Sequence, residues 1–194
     1  MIAAALVLVS LGVRAADAAA ELDERVVRRA IELPTWLDVP LEALMAFASA
    51  LVALAVTVGT GALARRIDII VAGLIGAPVA YALSLAGKVT FEFARPTLGP
   101  GRVVRTAVDG FGWPSGHATM AAYLAIVLVV GFRRRQRWPV VVATAYVAAV
   151  AVGRVVLGAH YVSDVVGGVG VGMLGAALGL AFGNLARRPQ NART

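Results

Sequence analysis

The feature that most constrains this chain is a series of apolar runs long enough to cross a lipid bilayer. A helical crossing takes about 20 mostly apolar residues. Residues 41–64 and 67–87 meet that length, 115–132 and 138–157 form shorter runs, and 165–186 is a last long one. A sixth run opens the chain and stops at Arg14. It reads either as a signal-peptide core, though without a basic region before it, or as a further span continuing to residue 20. The span is the preferred reading. Residues 21–37 then place Leu22, Val26, Val27, Ala30 and Leu33 at helical spacing, the pattern of an amphipathic helix lying in the interface, with Pro34 and Trp36 marking its end. The predicted architecture is all-α: a single polytopic membrane domain over residues 1–194, with about six transmembrane helices and one interfacial helix after the first.

Composition supports a membrane protein and excludes some alternatives. Charged residues make up 15% of the chain, against about 25% in soluble domains. With no cysteine, neither disulfides nor a thiolate zinc site can form. The net charge of +7 falls between apolar runs, as positive-inside loops do, so no nucleic-acid partner is expected. Arg65 and Arg66, then Arg133, Arg134, Arg135 and Arg137, then Arg187, Arg188 and Arg193 fall on one side if each intervening run crosses once. That side is the cytoplasm of an inner (plasma) membrane protein, which leaves segments 88–114 and 158–164 outside.

The rarest ionisable residues gather on that outer side. They include the single lysine, Lys88, and both histidines, His117 and His160, with Arg95, Arg102, Arg105, Asp109, Arg154 and Asp164. Ionisable groups at membrane depth are costly and usually mark function. Lys88 and Arg95 are seven residues apart, so a helix would put them on one face. Together they suit a dianionic phosphate, a point charge beside a fork, although Glu92 between them could pair with either. Ser115 and Gly116 precede an apolar helix whose first N–H groups could hold an anion. His117 stands at that rim as a candidate acid or base. His160 and Asp164 are four apart; a carboxylate on one imidazole nitrogen would leave the other as a lone pair ready to attack. A catalytic metal is the competing use of two histidines and an aspartate. The surrounding lysine and arginines would repel a divalent cation and attract phosphate.

Three stretches, K-x6-R-P at Lys88, Arg95 and Pro96, P-S-G-H at Pro114–His117, and R-x5-H-x3-D at Arg154, His160 and Asp164, resemble the signature of the type-2 phosphatidic acid phosphatase and vanadium haloperoxidase superfamily. Order and spacing agree; Gly153 stands where the family usually has serine. The resemblance implies a phosphatase without metal or other cofactor. In it, Lys88, Arg95, Ser115, Gly116 and Arg154 bind the phosphoryl oxygens, His160 oriented by Asp164 attacks phosphorus, and His117 serves as acid and then base. The implied substrate is a lipid phosphate or diphosphate of the polyprenyl diphosphate, phosphatidylglycerol phosphate or phosphatidic acid type, met among membrane lipids at the outer face. Arg102 and Arg105 are candidate contacts to a second phosphate or acidic head group. A lipid phosphotransferase on the same scaffold is the nearest alternative. A transporter would spread its charges through the depth of the spans, and a soluble haloperoxidase would lack the spans.

Overall fold

A computed structural model describes residues 1–97, 110–131 and 137–187, of which residues 17–19 by backbone alone. Every regular element among them is helical: α1 (Ile2–Ala15), α2 (Asp17–Ala30), a short turn of helix (Thr35–Leu37), α3 (Asp38–Phe47), α4 (Ala50–Leu63), α5 (Ile67–Val71), α6 (Ala77–Phe91), α7 (Gly116–Gly131), α8 (Trp138–Val156) and α9 (Val162–Ala186). The stretch Ile67–Phe91, with α8 and α9, is long and apolar enough to cross a membrane. Two bent pairs, α1 with α2 and α3 with α4, reach that length jointly, and α7 is a shorter apolar helix. The result is a membrane helix bundle of the kind the sequence predicts.

The departures lie where expected spans break. The first span, expected to reach residue 20, stops at Ala15; Ala16 is extended, and the chain turns by 93° into α2. The amphipathic helix expected at 21–37 therefore runs from Asp17 to Ala30, and Pro34 and Trp36 lie beyond it. Its apolar residues divide: Val27 is buried against Ala118, Val155 and Val165, while Leu22 and Val26 are exposed. The run 41–64 bends by 53°. Ser49 caps α4 there, its Oγ accepting from the Val52 N–H at 3.3 Å, so a residue that favours helix starts divides the run in two. Between α5 and α6 a π-helical segment covers Ala72–Gly76. Pro78 follows it and has no N–H to close onto the preceding turn. The Tyr123 hydroxyl donates to the Ala72 carbonyl at 2.8 Å.

α9 occupies the centre, packed by α7, α1 and the α5–α6 span. A stripe of glycines lets these backbones approach, the small-residue packing that membrane helices favour. A Cβ on Gly172 would stand 2.2 Å from the Thr119 carbonyl oxygen of α7, and one on Gly183 would stand 2.2 Å from the Asp68 carbonyl oxygen of α5.

The two ends of the bundle differ in chemistry. At one end Arg66 grips Asp68 through Nε and Nη2 at 2.8 and 2.6 Å, and Arg187 approaches the same carboxylate at 3.7 Å. Gly131, the last residue of α7, packs on Ile69 beside them. Two of the three predicted arginine clusters are thus held together; Arg133, Arg134, Arg135, Arg188 and Arg193 lie outside the described residues. The end of α6, the start of α7, the end of α8 and the start of α9 converge at the opposite end.

Candidate active site

Residues from the end of α6, the start of α7 and the end of α8, with His160 from the loop before α9, line a cavity of about 340 Å³. Six of the residues singled out in the sequence face it: Lys88, Arg95, Gly116, His117, Arg154 and His160. Its remaining wall comes from the α3–α4 break (Ala48, Ser49, Ala50 and Leu51) and from Tyr81, Ser84, Leu85 and Met120.

α6 ends at Phe91, and Glu92 turns into the left-handed conformation, φ 48°. Lys88 and Arg95 therefore do not share a helical face as expected. They reach the cavity from a helix end and from the extended segment after it. Glu92 is exposed and pairs with neither. Lys88 Nζ donates to the carbonyls of Phe111 and Gly112 at 2.8 and 3.2 Å, which leaves one of its three N–H groups. Arg95 donates through Nε to Gly110 O at 2.9 Å and through Nη1 to Ala159 O at 2.8 Å.

His160 also lies outside a helix. α8 ends at Val156, Gly158 makes the turn at φ 67°, and α9 begins at Val162. The Arg154 carbonyl accepts from the N–H groups of Ala159 and His160 at 3.1 and 3.3 Å, fixing this loop. The i,i+4 relation is thus made by a cap: Asp164, in the first turn of α9, reaches back to the Tyr161 N–H at 3.0 Å and to His160 Nδ1 at 3.4 Å. On the other side of the ring, Arg95 Nη1 lies 3.2 Å from Nε2. A guanidinium can only donate, so Nε2 carries the lone pair and Nδ1 the proton, directed at the carboxylate. Burial, and then the Arg154, Arg95 and Lys88 cations, hold the His160 ring well below its ordinary pKa; it is neutral.

Ser115 is fully buried, its N–H donating to the Asp164 carbonyl at 2.9 Å. Its hydroxyl has no partner among the described residues, and neither does Arg154 Nε. Buried polar atoms left in this way cost stability, and both belong to the expected phosphate-binding set. Gly116 and His117 open α7, where the first N–H groups of a helix lack intrahelical partners. At Gly153 a Cβ would meet the ends of the Met45 and Leu41 side chains of α3 at 2.9 and 3.1 Å, so the family's usual serine would fit here once those two side chains shifted. Arg102, Arg105 and Asp109 lie outside the described residues. Among the described residues, no three of His, Cys, Asp and Glu gather as a metal ion requires.

Sequence reasoning missed the contribution of α1 and α2. Asp23 accepts from the N–H groups of Val162 and Ser163 at 2.7 and 3.2 Å, and from the Ser163 hydroxyl. Trp113 donates to Ser10 Oγ at 3.1 Å. Arg14 Nε lies 3.3 Å from Asp164 Oδ1. A lone arginine closing an apolar run was the one available signal.

The fold is similar to that of a transmembrane PAP2-type phosphatidylglycerolphosphate phosphatase from Bacillus subtilis, with a TM-score of 0.76 and 25% identity over 96% of this chain and 98% of that one. It is also similar to LpxE from Aquifex aeolicus, with a TM-score of 0.69 and 19% identity over 81% of this chain and 93% of that one. No curated protein matches the sequence at a significant level. The PAP2 superfamily model matches residues 69–188, more than half of the chain and all three motifs. This chain therefore belongs to the PAP2 superfamily, with the fold of its membrane lipid phosphatases.

Proposed function

We propose that this protein hydrolyses a lipid phosphate or diphosphate without a metal, through a phosphohistidine on His160. The observation that carries the reading is the placement of the His160 ring, with Nδ1 3.4 Å from Asp164 Oδ2 and Nε2 3.2 Å from the donor Arg95 Nη1, which suits a neutral ring whose Nε2 lone pair faces the cavity cations. When a phosphoryl group enters, Arg95 can transfer its donation from Nε2 to a phosphoryl oxygen, which frees the lone pair. Nε2 then attacks phosphorus and the P–O bond to the lipid breaks. His117, protonated beside the bound dianion, passes its proton to the leaving oxygen. The neutral His117 next takes a proton from water, whose oxygen attacks phosphorus. The P–N bond breaks, giving inorganic phosphate and neutral His160. Lys88, Arg154, Ser115 Oγ and the N–H groups of Gly116 and His117 stabilise the charge on the equatorial oxygens. Asp164 stabilises the ring as it becomes cationic.

The setting supports a lipid substrate. The cavity joins its cationic residues to an apolar lining that includes Ala48, Leu51, Leu85 and Met120, which suits a phosphate carried on a lipid chain. Polyprenyl diphosphate, phosphatidylglycerol phosphate and phosphatidic acid all fit that description. The Arg66–Asp68–Arg187 end opposite the site supports an extracytoplasmic site in the inner membrane. The test is phosphate release from each of these three lipids by detergent-purified protein with excess chelator. Release that persists with chelator and disappears in His160→Ala is expected. Activity lost to chelator, or retained in His160→Ala, overturns the mechanism. Turnover that requires an added lipid acceptor would identify a phosphotransferase instead.

A further inference from the structure

We propose that Arg14 is a positioning residue of this site, one that fixes the carboxylate of Asp164 from the side away from the cavity. The inference rests on the proposed roles of His160 and Asp164. Arg14 closes α1 and lies outside residues 69–188, the stretch the family model matches. Its side chain is 9% exposed, and that of Asp164 is wholly buried.

The two oxygens of Asp164 have separate surroundings. Oδ2 accepts from the Tyr161 N–H and faces His160 Nδ1. Oδ1 has the Arg14 guanidinium at 3.3 Å, an ion-pair distance without an aligned hydrogen bond. Gly112 covers the carboxylate on a further side: a Cβ there would come within 2.9 Å of Oδ2. A buried carboxylate with no cation beside it is expensive, and His160, held neutral, does not supply one. Lys88, Arg95 and Arg154 line the cavity, which Asp164 does not. Among the described residues, Arg14 is the cation within ion-pair reach of Asp164.

Arg14 is itself clamped. Nη2 donates to the Ala94 carbonyl at 2.6 Å, one residue before Arg95. The guanidinium carbon lies 4.5 Å from the Tyr161 ring centroid and 5.1 Å from that of Phe93. Tyr161 follows His160 directly. One planar group thus ties together the segments that deliver Arg95, His160 and Asp164. A lysine would keep the charge but lose the fork and the stacking.

The test uses the full chain in detergent, with dioctanoyl phosphatidic acid as substrate and released phosphate as readout. The variants are Arg14→Met, Arg14→Lys, Asp164→Asn, the Arg14→Met/Asp164→Asn double variant and His160→Ala. Arg14→Met should lower kcat about 10- to 100-fold, the scale on which outer-shell partners of a working histidine count, with KM within about threefold. Arg14→Lys should recover part of the loss. Because Arg14 acts through Asp164, adding Arg14→Met to Asp164→Asn should cost less than about twofold more. Wild-type kcat in Arg14→Met, a loss confined to KM, or factors that multiply in the double variant would overturn the assignment. If Arg14→Met does not fold, Arg14→Gln takes its place and is judged by the same outcomes. His160→Ala separates the two levels of the argument. If that variant still releases phosphate, the nucleophile reading fails and this one with it. If it is inactive while Arg14→Met matches wild type, only the positioning role fails.

Discussion

Asp23→Ala should loosen the start of the central helix from 139 residues away in sequence. The carboxylate is 5% exposed and serves three donors of α9: the Val162 N–H, the Ser163 N–H and the Ser163 hydroxyl. It thus caps α9 from another helix, and its charge faces the positive end of the helix dipole. Losing an N-cap costs about 0.5–2 kcal/mol. Here the Ser163 N–H and hydroxyl are also left in a buried setting, where each orphaned group costs about 1–3 kcal/mol. Water can reach the partly exposed Val162 and offset some of this, so the expected loss is about 2–4 kcal/mol. Asp23→Asn keeps one acceptor and should lose about half as much; Ser163→Ala, which removes a single donor, should lose about 1 kcal/mol. The assay is equilibrium unfolding in mixed micelles with rising SDS fraction, followed by circular dichroism. An Asp23→Ala stability within about 0.5 kcal/mol of wild type would refute the capping argument.

Three other perturbations test separate parts of the account. Gly172→Ala puts a methyl into the Thr119 carbonyl and should cost at least about 2 kcal/mol, whereas Gly59→Ala, which meets nothing within 4 Å, should be neutral or gain about 0.5–1 kcal/mol; equal effects in the same unfolding assay would contradict the glycine-packed centre. The folded His160 ring refuses a proton that the unfolded chain accepts near the ordinary value of 6.5, so stability from this group falls as pH drops below that value; His160→Asn should flatten the acid side of the stability profile, and an unchanged profile would show that the ring does not titrate this way. Arg102→Ala/Arg105→Ala should weaken polyprenyl diphosphate turnover more than phosphatidic acid turnover, and equal loss on both would remove these arginines as contacts to a second phosphate.

The sequence made legible what local chemistry decides. Apolar length marked the crossings, and the scarcity of lysine and histidine in an apolar chain marked Lys88, His117 and His160, which the fold brings to one cavity. Features that depend on distant partners were hidden. The bend at Ser49 looks like one more small residue in an apolar run, yet the break it caps supplies a wall of the cavity. Seven-residue spacing suggested a shared helical face for Lys88 and Arg95, but α6 ends between them and the chain arrives extended. Nothing around Asp23 or Arg14 in the sequence points to their partners, Ser163 and Asp164, which lie at the far end of the chain. No periodicity within α1 or α2 encodes those contacts.

The central claim is that phosphorus passes through Nε2 of His160. The most direct measurement is a rapid acid-free quench of enzyme mixed with phosphatidic acid in excess chelator, followed by peptide mass spectrometry. The account predicts an acid-labile, alkali-stable phosphoryl group on the peptide carrying His160, formed within the first turnover and absent in His160→Asn. Full turnover by wild-type enzyme with phosphate on no histidine, or with the phosphoryl group on His117, would contradict it.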